Sequence, residues 1–105
     1  MSWEGFVIEN ILNNIDQNQD KSYFYRTSSS NEIDLILERS GKETWAIEVK
    51  RTLAPQFTKG HRLASQDIAA SRNFIVYPGI ERFPLAENTE AISLTGFLNE
   101  LVARK

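Results

Sequence analysis

Cysteine is absent from the 105 residues, so neither a disulfide framework nor a cysteine-based zinc site can form. Long apolar runs are missing too, and nothing approaches the ~18 consecutive apolar residues of a membrane-spanning helix. The start, Met-Ser-Trp-Glu-Gly, passes straight into an amphipathic pattern without the features of a secretory leader. These absences predict a cytoplasmic protein with no membrane partner. No charge of one sign dominates: the formal net charge is −2, which argues against a surface that binds nucleic acid all over. Repeats, low-complexity tracts and linkers are lacking as well. The length suits one compact domain over 1–105 with a single core, and the abrupt start suggests a domain excised from a longer chain.

What is present centres on Glu32 to Lys50. This stretch reads as two strands joined by a Ser-Gly-Lys turn, with Ile33, Leu35, Ile36 and Leu37 in the first and Trp45, Ala46, Ile47 and Val49 in the second. Runs so apolar are suited to burial on both faces. Asp34 nevertheless interrupts the first run, and Glu48 and Lys50 interrupt the second. A charge in a dry interior costs several kcal/mol unless it is paired or binds a metal. Side chains alternate along a strand, so Glu48 and Lys50 share a side, roughly 7 Å apart at Cα. Pairing of the strands as a hairpin would bring Asp34 beside Glu48. Two close carboxylates repel, and a divalent cation relieves that conflict. Asp34 with Glu48-Val49-Lys50 therefore has the makings of a magnesium site with a lysine at its edge. The plainer alternative is a same-face ion pair between Glu48 and Lys50 on a partly exposed strand, which leaves Asp34 unexplained.

A local charge bias follows. From Val49 to Gln66 there is no acid, while Lys50, Arg51, Lys59 and Arg62 are all present with His61 among them. Such a segment can hold a phosphate backbone, and Gln56, Lys59 and Arg62 are the candidate phosphate contacts; ordinary surface polarity is the alternative. His61, flanked by basic residues, reads as a surface residue rather than a catalytic base. Arg26 is expected to pair with a core carboxylate. Tyr23, Phe24 and Tyr25 can stack on bases, although packing on the sheet is the simpler use.

The remaining pattern supplies the scaffold. Ser2 caps a first helix to about Ile15, with Val7, Ile8, Ile11, Leu12 and Ile15 as its apolar stripe. Asn13 to Lys21 reads as loop, Tyr23 to Thr27 as a short strand and Ser28 to Asn31 as a turn. A second helix is expected from Phe57 or Thr58 to about Ser71, with Leu63, Ala64 and Ile68 inward. Phe74 to Tyr77 is a buried strand closed by Pro78-Gly79, and Ile80 to Glu90 is loop and edge structure. Ala91 to Leu94 is a last strand, and Thr95 caps a final helix. The predicted order is αβββαββα: an α/β chain of the α+β kind, with a mixed sheet and helices on both faces.

These residues resemble a known group. Asp34 followed by Glu48-Val49-Lys50 is similar to the PD-(D/E)XK nuclease superfamily, whose restriction-endonuclease-like fold has this element order. Gly5-Phe-Val-Ile-Glu9 resembles the Gly-x-x-x-Glu on the first helix of Holliday-junction resolvases. Trp-Glu-Gly-Phe-Val-Ile-Glu, Tyr-Phe-Tyr-Arg-Thr, Glu-Ile-Asp-Leu and Ile-Glu-Val-Lys-Arg together resemble the C-terminal domain of a group of prokaryotic AAA-type ATPases. The sequence departs from the superfamily pattern in having Ile33, not proline, before Asp34. The resemblance implies a nuclease acting on DNA with Mg2+ or Mn2+, with Asp34, Glu48 and the Val49 carbonyl as metal ligands. Lys50 would orient the attacking water and steady phosphate charge, and Arg51 would join Gln56, Lys59 and Arg62 on nucleic acid. Glu9 would complete the acidic cluster; helical phase, however, puts Glu9 at the edge of the apolar stripe and Glu4 near its centre. An ATPase domain in cis and a homodimer are further implied partners. The alternative is an accessory, DNA-binding domain of such an ATPase that keeps the nuclease fold without catalysis.

Overall fold

The computed structural model describes residues 2–25, 33–40 and 43–103. Arg26, Thr27, the expected turn at 28–31 and the Gly41 and Lys42 positions of the hairpin turn lie outside the described residues. The first helix, α1 (Trp3–Asn14), starts as the sequence dictates: the Ser2 hydroxyl accepts from the Gly5 N–H. Its stripe buries Val7 and Ile11 completely. Strands β1 (Asp20–Tyr23), β2 (Leu35–Arg39) and β3 (Glu43–Val49) follow, then α2 (Lys59–Asp67), β4 (Arg72–Val76), β5 (Phe83–Ala86), β6 (Thr89–Ile92) and α3 (Leu94–Ala103). One six-stranded sheet has the order β1-β2-β3-β4-β6-β5. The β1–β2, β2–β3 and β5–β6 pairs are antiparallel; β3–β4 and β4–β6 are parallel. The class is thus α+β with a mixed sheet and three helices, in the order αβββαβββα. Among the described residues no helix is long and apolar enough to cross a membrane.

Strand alternation divides the core in two. Leu35, Leu37, Trp45, Ile47, Val49, Phe74, Val76 and Ile92 point towards α1 and α3, where they meet Val7, Ile11, Phe97 and Leu101. Trp45 is the keystone, 5.0 Å from the Phe74 ring and 6.0 Å from the Phe97 ring, in tilted and edge contacts that aromatic quadrupoles favour. The guanidinium groups of Arg39 and Arg72 lie over the same indole at 4.4 and 5.0 Å. The opposite face is thinner, with Ile33, Ile36, Ala46 and Ala64 under α2.

Several expectations need correction. The loop expected over Asn13–Lys21 gives way to a strand at Asp20, because that carboxylate is buried against Arg39 at 2.9 Å and the two residues are ladder partners. A pair that neutralises itself across a rung turns two polar letters into sheet. Leu63 is half exposed, and the inward residues of α2 are His61, Ala64 and Ser65. That helix also stops at Asp67 instead of continuing to Ser71. Ala69 takes the left-handed φ of 54°, with Ala69 N–H donating to Gln66 O and Ala70 N–H to Ser65 O. This is a Schellman close with alanine where glycine is usual, so its sequence signal is hidden. The region read as loop and edge contains β5, which pairs with β6 and carries Pro84 at the sheet's rim, where a missing N–H is tolerated. The last strand is Thr89–Ile92, not Ala91–Leu94. Ser93, not Thr95, caps α3, its hydroxyl accepting from the Gly96 N–H.

Candidate functional site

The β2–β3 register pairs Leu35 with Ile47, which sets Asp34 next in line towards Glu48. Asp34 sits just before β2 rather than within it, but its backbone N–H still donates to Ile47 O at 2.9 Å. Its side chain then replaces the missing strand: Oδ2 accepts from the Val49 N–H at 2.7 Å. Val49 itself is buried, the last residue of β3. Burial raises the Asp34 pKa above the ordinary carboxylate value, and the Val49 N–H works against that rise. The negative charges of Glu48 and Glu4 push it further up, while the Lys50 amine pulls it down. Three carboxylates thus act on one neighbourhood that has one amine to balance them.

Glu48 points to the α2 side and is only 3% exposed. Its Oε2 lies 3.2 Å from Lys50 Nζ, and its Oε1 lies 3.1 Å from His61 Nδ1. Alternation keeps Glu48 and Lys50 on one side of the chain, as the sequence demands. The Lys50 side chain is 37% exposed, so its amine joins the buried carboxylate to solvent. His61, by contrast, is wholly buried, which overturns its reading as a surface residue. The signal was available in the chain: Thr58 caps α2 by accepting from the His61 N–H, and counting from that cap places residues 61, 64 and 65 inward.

Two clefts open at the site. One, of about 380 Å³, runs beside α1 and is lined by Glu4, Ile8, Glu9, Leu12 and Asp34. Glu4 and Glu9 both border it; Glu4 is half-buried and acts on the charge of Asp34, whereas Glu9 faces solvent. The other, of about 210 Å³, is lined by Lys50, Thr52, Ala54, Gln56 and Thr58. Arg51, Gln56, Lys59 and Arg62 are all exposed on this basic segment. Among the described residues no group of three His, Cys, Asp or Glu side chains converges tightly enough to cage a metal ion.

No solved structure matches the chain. Uncharacterised proteins of Mycobacterium bovis and Mycobacterium tuberculosis are each 38% identical over 107 aligned residues, covering 97% of this chain. The chain spans about a quarter of the length of these curated relatives, 24% in each case. A family described as "Domain of unknown function (DUF4143)" matches residues 1–97. With nearly its whole length accounted for in this way, the chain belongs to that family.

Proposed function

We propose that this domain is a nuclease-like phosphodiesterase with a restriction-endonuclease-like fold of the PD-(D/E)XK type, acting on DNA with a bound magnesium ion. The observation that carries the reading is the meeting of Asp34, Glu48 and Lys50: mutually repelling acids at the end of β3, with a half-solvated amine 3.2 Å from one of them. Magnesium suits this donor set, because it commonly keeps several waters and takes only one or two carboxylates from the protein. Asp34 and Glu48 would hold it. Strand geometry sends the N–H and C=O of one residue to the same neighbour, so the Val49 carbonyl leaves on the Asp34 side and is the third candidate oxygen. When bound, such an ion offers electrophilic charge to a phosphoryl oxygen and makes water more acidic.

The chain's own groups supply the rest. The Lys50 amine would hold an attacking water and offset charge that builds on the phosphate. Water adds its oxygen to phosphorus, one ester P–O bond breaks, and the departing alkoxide takes up a proton. Arg51, Gln56, Lys59 and Arg62 would bind flanking phosphates, with Lys50 and Gln56 lining the smaller cleft. The test is nicking and cleavage of single-stranded, duplex and branched DNA with Mg2+ or Mn2+. Lys50→Ala should lower the rate by about 100-fold or more. Equal rates for wild type and Lys50→Ala would remove the reading.

A second reading is favoured by the state of Glu48. Both of its oxygens already have partners, Lys50 and His61, so the carboxylate is satisfied without a cation. On that basis the domain is a non-catalytic, DNA-binding accessory to an AAA-type ATPase in the same polypeptide, keeping the nuclease fold. The matched region is 24% of the curated relatives, which leaves ample room for a second domain there. Calorimetry separates the two readings. No heat on magnesium titration, alike in wild type and Asp34→Ala, favours the accessory role.

A further inference from the structure

His61 is fully buried, and nothing in the roles given to Asp34, Glu48 and Lys50 uses it. We infer that His61 is a positioning residue, whose Nδ1–H fixes the Glu48 carboxylate so that Oε1 is held and Oε2 is turned to Lys50. That use rests on the metal-site reading above; the hydrogen bond does not.

The ring is fixed from three directions. Its backbone N–H is tied to the Thr58 cap, so the first turn of α2 sets where the side chain leaves the helix. Phe57 packs against it edge-on, with ring centroids 5.0 Å apart. Glu48 Oε1 faces Nδ1 at 3.1 Å. A carboxylate accepts and does not donate, so the proton of this contact belongs to Nδ1. The other ring nitrogen decides the tautomer. Nε2 is buried without a hydrogen-bond partner among the described residues, and a bare lone pair there is cheaper than an N–H with no acceptor. One oxygen of Glu48 is thereby spent on a rigid, dry contact. The second oxygen is left on the side of the lysine and of solvent, and the carboxylate cannot swing. Partners of this kind orient metal-binding carboxylates generally, and their removal typically weakens metal affinity by about 10–100-fold.

Because His61 is the chain's single histidine, long-range 1H–15N NMR reads this ring without assignment. The expected result is a proton on Nδ1; a proton on Nε2 would overturn the inference. The second arm is calorimetric titration of the folded domain with Mn2+. His61→Phe keeps the ring volume but has no donor, and should bind the ion about 10-fold or more weakly. His61→Asn puts an N–H near the Nδ1 position and should restore binding, whereas His61→Gln places it near Nε2 and should not. Equal Mn2+ affinity in wild type and a cooperatively melting His61→Phe makes the residue mere packing. Should the phenylalanine variant fail to fold, equal affinity of His61→Asn and His61→Gln likewise reduces His61 to packing. A wild-type chain that takes up no Mn2+ defeats the metal reading, and the tautomer then decides by itself whether His61 holds Glu48.

Discussion

The two faces of the sheet are built on different principles. Under α1 and α3 lies a core in which Trp45, Phe74 and Phe97 touch one another among Val, Ile and Leu side chains. Under α2 the apolar cluster is small and alanine-rich, and beside it two polar groups, Glu48 and His61, are buried about as deeply as its own side chains. The first face carries the larger apolar cluster and the second the smaller one. Charge is buried on both faces: Arg39, paired with Asp20, lies over Trp45 on the aromatic face, and Glu48 meets His61 under α2.

The sharpest way to break this comparison is to truncate each face in turn. Trp45→Ala should cost about 3–5 kcal/mol in urea unfolding, since it empties the keystone of the large core. Ile36→Ala, on the α2 face, should cost about 2 kcal/mol, the low end for such a change, because a thin cluster collapses into the space more readily. Equal losses would mean that the faces are energetically alike.

A third prediction concerns acid. Glu100 on α3 lies between Arg72 and Arg82, at 2.9 and 2.7 Å. Burial pushes its pKa up, but the two guanidinium groups prevail and hold it down, to about 2 from an ordinary 4.5. A carboxyl with a depressed folded-state pKa adds stability above its unfolded value and loses it as pH falls towards the folded one. The contribution should therefore fade between pH 4.5 and about 2. Arg82 is 45% exposed, so after solvent screening Glu100→Gln should cost about 1–2 kcal/mol at pH 7 and flatten the acid limb of the stability curve. The smallest effect belongs to the outward side of α2: Leu63→Lys should shift stability by no more than about 0.5 kcal/mol. A larger loss there would reveal packing over α2 that the half-exposed Leu63 does not suggest.

Legibility followed the same division. The helix-pair face could be read directly, because Leu35, Leu37, Trp45, Ile47 and Val49 alternate in strand phase and the Ser2 cap announces α1. The charges at Asp34, Glu48 and Lys50 were visible as interruptions of otherwise apolar runs. The α2 face was harder. Its helix is short, so apolar spacing alone does not fix its phase; the Thr58 cap does, and it turns His61 inward and Leu63 outward. Strand β1 was hidden because Asp20 and Arg39 neutralise each other across a rung, a relation that only pairing reveals. Strand β5 was hidden because an edge needs little burial, and Phe83 to Ala86 are no more than half-buried.

The hydrogen bond from the Val49 N–H to the Asp34 side chain has a practical corollary. An acid that finishes a ladder belongs to the architecture before it belongs to any reaction, so truncating it to alanine cuts a rung and deletes a charge in one stroke. Asparagine keeps an acceptor oxygen for that amide while discarding the charge. Slow deuterium uptake at Val49 in Asp34→Asn, set against fast uptake in Asp34→Ala, would let masonry and chemistry be weighed separately at a single residue.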